Sequence, residues 1–443
     1  MGWQNMVYRI INGRILGKPN TELVPEDAAR LGAIIGTWYG KKSLVVTGRD
    51  YSPASRMIKR SFISGLMSVG VEVMDFHESV AGEISYAIKK FGARGGLNVA
   101  NYPALEEHVQ LRIYSTPGRE LVGEELEEII KRENIRRVKP HETGWVTYAE
   151  YIHSLYSTAI LSYIDSHIIT SKQLSIVISV SYGPSDKVLP DILSNLGVDY
   201  VLINTVKPPI YSQLVYPSFS EIKRVSKIVQ AMNSDLGVIL SNDASSAIFI
   251  DNEGRMLLPE EIIVALSRRL AKNSLVLYSD EIFGFIDKYL QINNISFIRT
   301  KVGHGSIIKA TNEHRPVLSF NGLGEYIHPG FSLGYDAILT LVKLLESVAY
   351  LEKDLSSITK NLAVPKYYVV ESTGEPEEVF EKLCSMADHC ITFIGGYRVR
   401  INNQNIVITK DPIMDSIQIK IDAHAPLLDK IIKKIHKILS SIE

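Results

Sequence analysis

A β-branched run, an amphipathic helical stretch and a second β-branched run recur three times along this chain, and no other feature restricts its fold as much. The first copy is Ser43-Leu44-Val45-Val46-Thr47, a helical spacing from Met57 to Val69, then Val71-Glu72-Val73-Met74-Asp75. The second is Leu174–Ile178, a helix over Lys187–Leu196 and Tyr200–Ile203; the third is Ser274–Tyr278, a helix over Glu281–Leu290 and Ser296–Thr300. Each copy reads as a βαβ unit, which implies parallel strands joined by right-handed crossovers. Ahead of the first, Glu26-Asp27 open a helix that runs to Tyr39, with acids at its positive N-terminal end.

The C-terminal stretch changes period. Tyr367–Val370, Tyr397–Ile401, Asn405–Ile408 and Ser416–Ile421 alternate as strands, accompanied by helices over Pro376–Ala387 and Pro426–Ile442, after a linker near Ala363-Val364-Pro365. The expected organisation of the 443 residues is therefore three similar α/β domains with mixed sheets, 1–147, 148–254 and 255–364, followed by a smaller α+β domain, 365–443.

Composition removes several function classes. Lys+Arg 48 against Asp+Glu 49 leaves a net charge of −1, so no basic excess points to nucleic acid or an anionic membrane. No apolar run is long enough to span a bilayer and the N-terminus lacks a secretory profile, so the expectation is a cytoplasmic protein. Cys384 and Cys390, the two cysteines, read as core or helix-face thiols. Glu124–Glu128 followed by Lys131-Arg132 reads as a solvated helix face with i,i+4 pairs.

Several local stretches, in order, resemble the α-D-phosphohexomutases (phosphomannomutase/phosphoglucomutase). These are Glu22–Glu26, Gly48-Arg49-Asp50 with Pro53 and Ser55, Gly65–Val71, Gly95-Gly96, Asp235–Val238, Asp251–Arg255, Arg299–Gly303 and Asp336–Leu339. The resemblance implies four domains around a central cleft and phosphate transfer between sugar positions. That family uses a phosphoserine, a carboxylate-bound Mg²⁺, a sugar loop and a terminal phosphate clamp.

Every one of those chemical loops departs from the family pattern. Asn98–Pro103 stands for Thr-Ala-Ser-His-Asn-Pro, and the nucleophile position falls on Asn101 or Tyr102 according to register. Neither is a serine, and a phenol of ordinary pKa is a poor substitute. Ser241–Ser246 stands for the metal loop Asp-Gly-Asp-x-Asp-Arg and keeps one carboxylate, Asp243, which reads more readily as a turn former than as a Mg²⁺ ligand. Asn321–Glu325 stands for the sugar loop, with Glu325 displaced by two places. Thr409–Ile413 stands for the phosphate clamp without its arginine, and Leu16 replaces the arginine of an early Gly-Ile-Arg-Gly.

Three polar matches survive: Arg112, at the lysine of Gly-Ile-Lys, and Lys301 and His304 of Lys-x-Gly-His. They read either as a residual pocket for an anionic sugar or as a solvated strand residue and two ordinary loop polars. The expected function is a phosphohexomutase-like protein without mutase activity that acts as a binding or assembly partner. The alternatives are an active mutase with a rebuilt site, which would use Mg²⁺, and a hexose-phosphate sensor. No cofactor is expected under the leading reading. Expected partners are a hexose phosphate, another protein or a second copy, with no nucleic acid and no membrane.

Overall fold

The computed structural model describes residues 9–11, 13–102, 107–205, 219–360, 376–393, 396–401, 404–410 and 417–422, with residues 430, 433 and 437. The first sheet contains β1 (Arg9–Ile11), β2 (Arg14–Gly17), β3 (Leu44–Arg49), β4 (Glu72–Glu78), β5 (Gly95–Asn101), β6 (Val109–Ser115), β7 (Arg119–Leu121) and β8 (Val146–Tyr148). Their order is β1-β2-β6-β5-β3-β4-β8, with β7 beside β6. The second sheet holds β9 (Ser175–Ser179), β10 (Asp199–Ile203), β11 (Leu236–Leu240), β12 (Ala247–Asp251) and β13 (Met256–Leu257), ordered β10-β9-β11-β12-β13. The third holds β14 (Leu275–Ser279), β15 (Ser296–Thr300), β16 (Leu318–Phe320) and β17 (Tyr326–Ile327), ordered β15-β14-β16-β17.

The three sheets share one plan. In β4-β3-β5-β6, β10-β9-β11-β12 and β15-β14-β16-β17, three parallel strands are followed by an antiparallel fourth. The sheets are mixed, as expected, because the chain adds the fourth strand by a short return rather than by a crossover helix. The last sheet differs: β18 (His389–Phe393), β19 (Gly396–Ile401), β20 (Gln404–Lys410) and β21 (Ile417–Asp422) form an antiparallel meander.

Two glycines set how closely the first domain packs. Helices Pro25–Tyr39 and Pro53–Ser68 lie against one another with both prolines at their first turns. A Cβ on Gly32 would stand 2.1 Å from the Phe62 carbonyl oxygen, and one on Gly65 would stand 2.0 Å from that of Ala29. Only a bare Cα fits at either crossing point.

Some elements differ from the sequence expectation. The helix expected over Pro376–Ala387 ends at Cys384, and the unexpected β18 follows it. A disulfide joins Cys384 to Cys390 across that turn, which corrects the reading of both as free thiols. The segment expected as a helix over Lys187–Leu196 begins as a 3₁₀ turn, Pro184–Lys187, before the α-helix Leu189–Asn195. The linker near Pro365, the strand Tyr367–Val370, most of the final helix and the clamp residues Asp411, Pro412 and Ile413 lie outside the described residues. Among the described residues, no helix is long and apolar enough to cross a membrane.

Candidate functional site: a buried ion-pair network where three domains meet

Strand β6 runs Val109-Gln110-Leu111-Arg112-Ile113-Tyr114-Ser115, so Gln110 and Arg112 share one face. Across the ladder, Arg112 pairs with Asn98 and Gln110 with Ala100, while on the other side Gln110 pairs with Leu16 of β2. This face is not solvated. Arg112 is 1% exposed, and the second-domain loop Ser241–Ser246 covers it.

That loop is a hub. The Asp243 carbonyl accepts the Ala81 amide at the start of helix Ala81–Phe91, and the Ala244 carbonyl accepts the Ala337 amide at the start of helix Ala337–Leu351. Asp243 Oδ1 accepts hydrogen bonds from Ser241 Oγ at 2.8 Å, from the Ser245 amide at 3.1 Å and from Ser245 Oγ at 2.7 Å. Its Oδ2 accepts from Arg112 Nε at 2.7 Å and Gln110 Nε2 at 3.3 Å. The turn-forming role expected of Asp243 is present, and an ion pair is added to it.

The network extends into the first and third domains. The remaining Arg112 nitrogens reach Glu120 Oε1 at 2.6 Å, Ser245 Oγ at 2.5 Å and Glu325 Oε1 at 3.4 Å. Arg14 of β2 donates to Glu120 Oε2 at 2.9 Å and to Glu325 Oε1 at 3.1 Å, with its guanidinium over the Tyr335 ring. His304 Nε2 and Asn321 Nδ2 lie 2.6 Å and 2.8 Å from Glu325 Oε2. Asn321 Oδ1 in turn accepts the Glu325 amide, fixing the loop that carries the carboxylate. Gly324 (φ 76°) turns that loop, and a Cβ there would stand 2.6 Å from the Ala247 carbonyl oxygen.

The charges compensate one another locally. Burial opposes ionisation of Asp243, yet Arg112 and the three serine donors hold its carboxyl below the usual range. Burial likewise opposes ionisation of Glu325, and Arg14, His304 and Arg112 outweigh it to hold that carboxyl well below its ordinary value. Both acids are anions at neutral pH, and their partners are side chains of this chain.

The residues singled out from the sequence separate into two groups. Arg112, Asp243 and His304 converge on this network, each under 5% exposed, so neither a solvated strand residue nor a loop polar describes Arg112 or His304. Lys301 is exposed, beyond the end of β15. Asn101 is exposed at the end of β5, its amide donating to Asp50 Oδ2 at 2.7 Å, and the Tyr102 amide donates to the His108 carbonyl. With the prolines matched residue for residue, the position under the family serine is Ala100, buried on the face of Gln110, so Asn101 and Tyr102 each lie one or two places beyond it. None of the three is a serine. Leu16 is buried in the same sheet, and Arg14, two residues earlier on the same face, carries the charge instead.

Magnesium requires hard oxygens with free lone pairs in near-octahedral array. The retained carboxylate already accepts five donors, from Ser241, Ser245 (twice), Gln110 and Arg112. The loop does not fit the ion. Among the described residues, no group of three or more His, Cys, Asp or Glu stands arranged to hold a metal.

Comparison with known proteins adds the lineage. Models of the phosphoglucomutase/phosphomannomutase alpha/beta/alpha domains I, II and III match residues 13–136, 149–254 and 259–365 in order. A phosphoglucomutase/phosphomannomutase of Thermococcus kodakarensis is 26% identical over 412 residues, covering 90% of this chain and 89% of its own length. A phosphoglucosamine/phosphogalactosamine mutase of Sulfurisphaera tokodaii is 27% identical over 388 residues, covering 83% and 84%. The fold is shared with a putative phosphomannomutase from Thermus thermophilus, with TM-score 0.76, 15% identity and coverage of 98% and 99%. A phosphoglucomutase/phosphomannomutase family protein from Burkholderia thailandensis gives TM-score 0.74, 16% identity and coverage of 98% of both chains.

Proposed function

Because the chain belongs to the phosphoglucomutase/phosphomannomutase family, the α-D-phosphohexomutases, yet closes the centre of that fold with its own ion pairs, we propose that it has lost mutase chemistry and acts as a binding or assembly partner. The saturation of Asp243 carries this reading. Phosphoryl transfer needs a nucleophile, cations on the transferring oxygens and fixed orientation. Ala100 offers no hydroxyl, Arg14 and Arg112 spend their charges on Glu120, Asp243 and Glu325, and His304 is hydrogen-bonded to Glu325. Removing one oriented donor from an active site costs about 10²–10³ in rate, and here several parts are absent together. The relatives are named as mutases, so what sets this chain apart is its side chains rather than its fold.

Supporting a sensor is harder, since two of its three expected residues are engaged in the protein itself and only Lys301 faces solvent. A cytoplasmic location stays the proposal drawn from the sequence.

The test is a mutase assay on the purified full chain with Mg²⁺ and glucose or mannose 1,6-bisphosphate as primer. The expected result is no interconversion of the 1- and 6-phosphates and no added phosphate in the intact mass. Turnover, with phosphate on Tyr102 or another hydroxyl, would establish the rebuilt mutase instead.

A further inference from the structure

We infer that the Arg112 guanidinium is a resident cation that joins the three α/β domains in place of a divalent ion, and that the native fold makes no use of Mg²⁺. This rests on the reading above that Asp243 is not a metal ligand. Three carboxylates meet at this one group: Glu120 of the first domain at 2.6 Å, Asp243 of the second at 2.7 Å and Glu325 of the third at 3.4 Å. The Ser245 hydroxyl completes the shell at 2.5 Å. All are hard oxygen donors, the ligand class that divalent Mg²⁺ and Mn²⁺ take.

A guanidinium suits this place for geometric reasons. It is planar, cannot be deprotonated, and presents its donors in a fork that reaches several acceptors at fixed angles. Here Nε serves Asp243, one terminal nitrogen serves Glu120, and the other serves both Ser245 and Glu325. Arg14 also pairs with Glu120 and Glu325, sharing Glu325 Oε1 with Arg112, but not with Asp243, so within this cluster Arg112 is the cation that links Asp243 of the second domain to the other two domains. Taking the side chain away leaves three carboxylates and a hydroxyl facing the vacated volume, with one positive charge fewer than in the native protein. In the native protein these carboxylates are not arranged to hold a metal, because the arginine stands between them; the vacated volume is what would let them close on a divalent cation.

The experiment measures thermal unfolding of EDTA-stripped full-length protein, with and without millimolar MgCl₂ or MnCl₂. The native midpoint is expected not to move. Arg112→Ala is expected to melt lower, and MnCl₂ is expected to raise its midpoint saturably by about 3 °C or more. Adding Asp243→Asn to that variant is expected to abolish the rise. A native midpoint that climbs with Mg²⁺, or an Arg112→Ala protein indifferent to both ions, overturns the inference. Should Arg112→Ala not fold, calorimetric titration of Mn²⁺ into stripped native protein decides. No binding isotherm is expected there, and a stoichiometric one overturns the inference. Failure here and failure of the proposed function are separable: Mn²⁺ bound by the native protein without turnover sinks this inference alone, and EDTA-insensitive turnover by the native protein sinks only the loss of mutase activity.

Discussion

The Tyr156 hydroxyl lies 2.7 Å from both carboxylate oxygens of Asp336, tying helix Ile152–Tyr163 of the second domain to the start of the third-domain helix Ala337–Leu351. Asp336 Oδ1 also caps that helix by accepting the Leu339 amide. Burial dominates its titration, and the Asp336 carboxyl is pushed up from 3.8 to about 6. The folded state therefore binds this proton more tightly than the unfolded chain does. Its contribution to stability is complete below the unfolded value and is lost as pH rises through about 6. Asp336→Asn keeps a capping side chain but removes the titration. Relative to the native protein, the variant should gain about 1–3 kcal/mol between pH 4 and pH 7.5. Urea denaturation of both proteins across that range checks it, and parallel curves would refute it.

Arg398 of β19 anchors the C-terminal domain by reaching both oxygens of Glu260, at 2.9 Å and 3.1 Å, and the Glu281 carbonyl. Both partners are buried, and although burial opposes its ionisation, Arg398 holds the Glu260 carboxyl below its ordinary value. Arg398→Ala strands an anion without a counter-charge and should cost about 3–5 kcal/mol. Adding Glu260→Gln should recover a large part of that loss. Chemical denaturation of the two single variants and the double variant measures the coupling.

The contact between helices Pro25–Tyr39 and Pro53–Ser68 admits no side chain at Gly32 or Gly65. In each case the obstructing atom is a backbone oxygen, which cannot swing away as a side-chain tip can. Gly65→Ala should therefore force the helices apart and destabilise the protein by about 1–3 kcal/mol. Gly40→Ala is the control for space, since nothing lies within 4 Å of the added Cβ, although its φ of 98° adds strain of its own. Thermal melts that place Gly65→Ala level with the native protein would contradict the packing argument.

Returning the family hydroxyl alone should not return the chemistry. Ala100→Ser puts an alcohol beside Gln110, but Asp243 stays saturated and Arg112 stays paired. Intact mass after incubation with glucose 1,6-bisphosphate and Mg²⁺ should show no phosphorylated Ala100→Ser protein. A stable phosphoserine adduct would mean that the nucleophile was the single missing part.

Much of the fold was legible because parallel strands buried on both faces read as unbroken apolar runs, as Leu44-Val45-Val46 and Ile176-Val177-Ile178 do. Strand β18 was not, since His389-Cys390-Ile391-Thr392-Phe393 shows no clean alternation and follows a helical pattern without a stop residue. The site was harder still. In β6, the alternation of Gln110 and Arg112 with Val109, Leu111 and Ile113 predicts one wet face, and the loop around Asp243 instead packs onto it. Arg14 and Glu120 carried no local signal, and Glu325 was legible only as a displaced sugar-loop acid, because the pairing of each with Arg112 or Arg14 joins residues distant in sequence or on separate strands, and a single chain does not display which charges will meet.

The spacing of those partners has a consequence for synthesis. Arg112 emerges 131 residues before Asp243 and 213 residues before Glu325. Domains fold from the N-terminus as the ribosome releases them. Until the second domain follows, the nascent first domain carries Arg14 and Arg112 with Glu120 as their shared anion, and the polar face of β6 has no covering loop. The second domain brings the loop that covers it, and the third, the last α/β domain to leave the ribosome, brings the final negative charge.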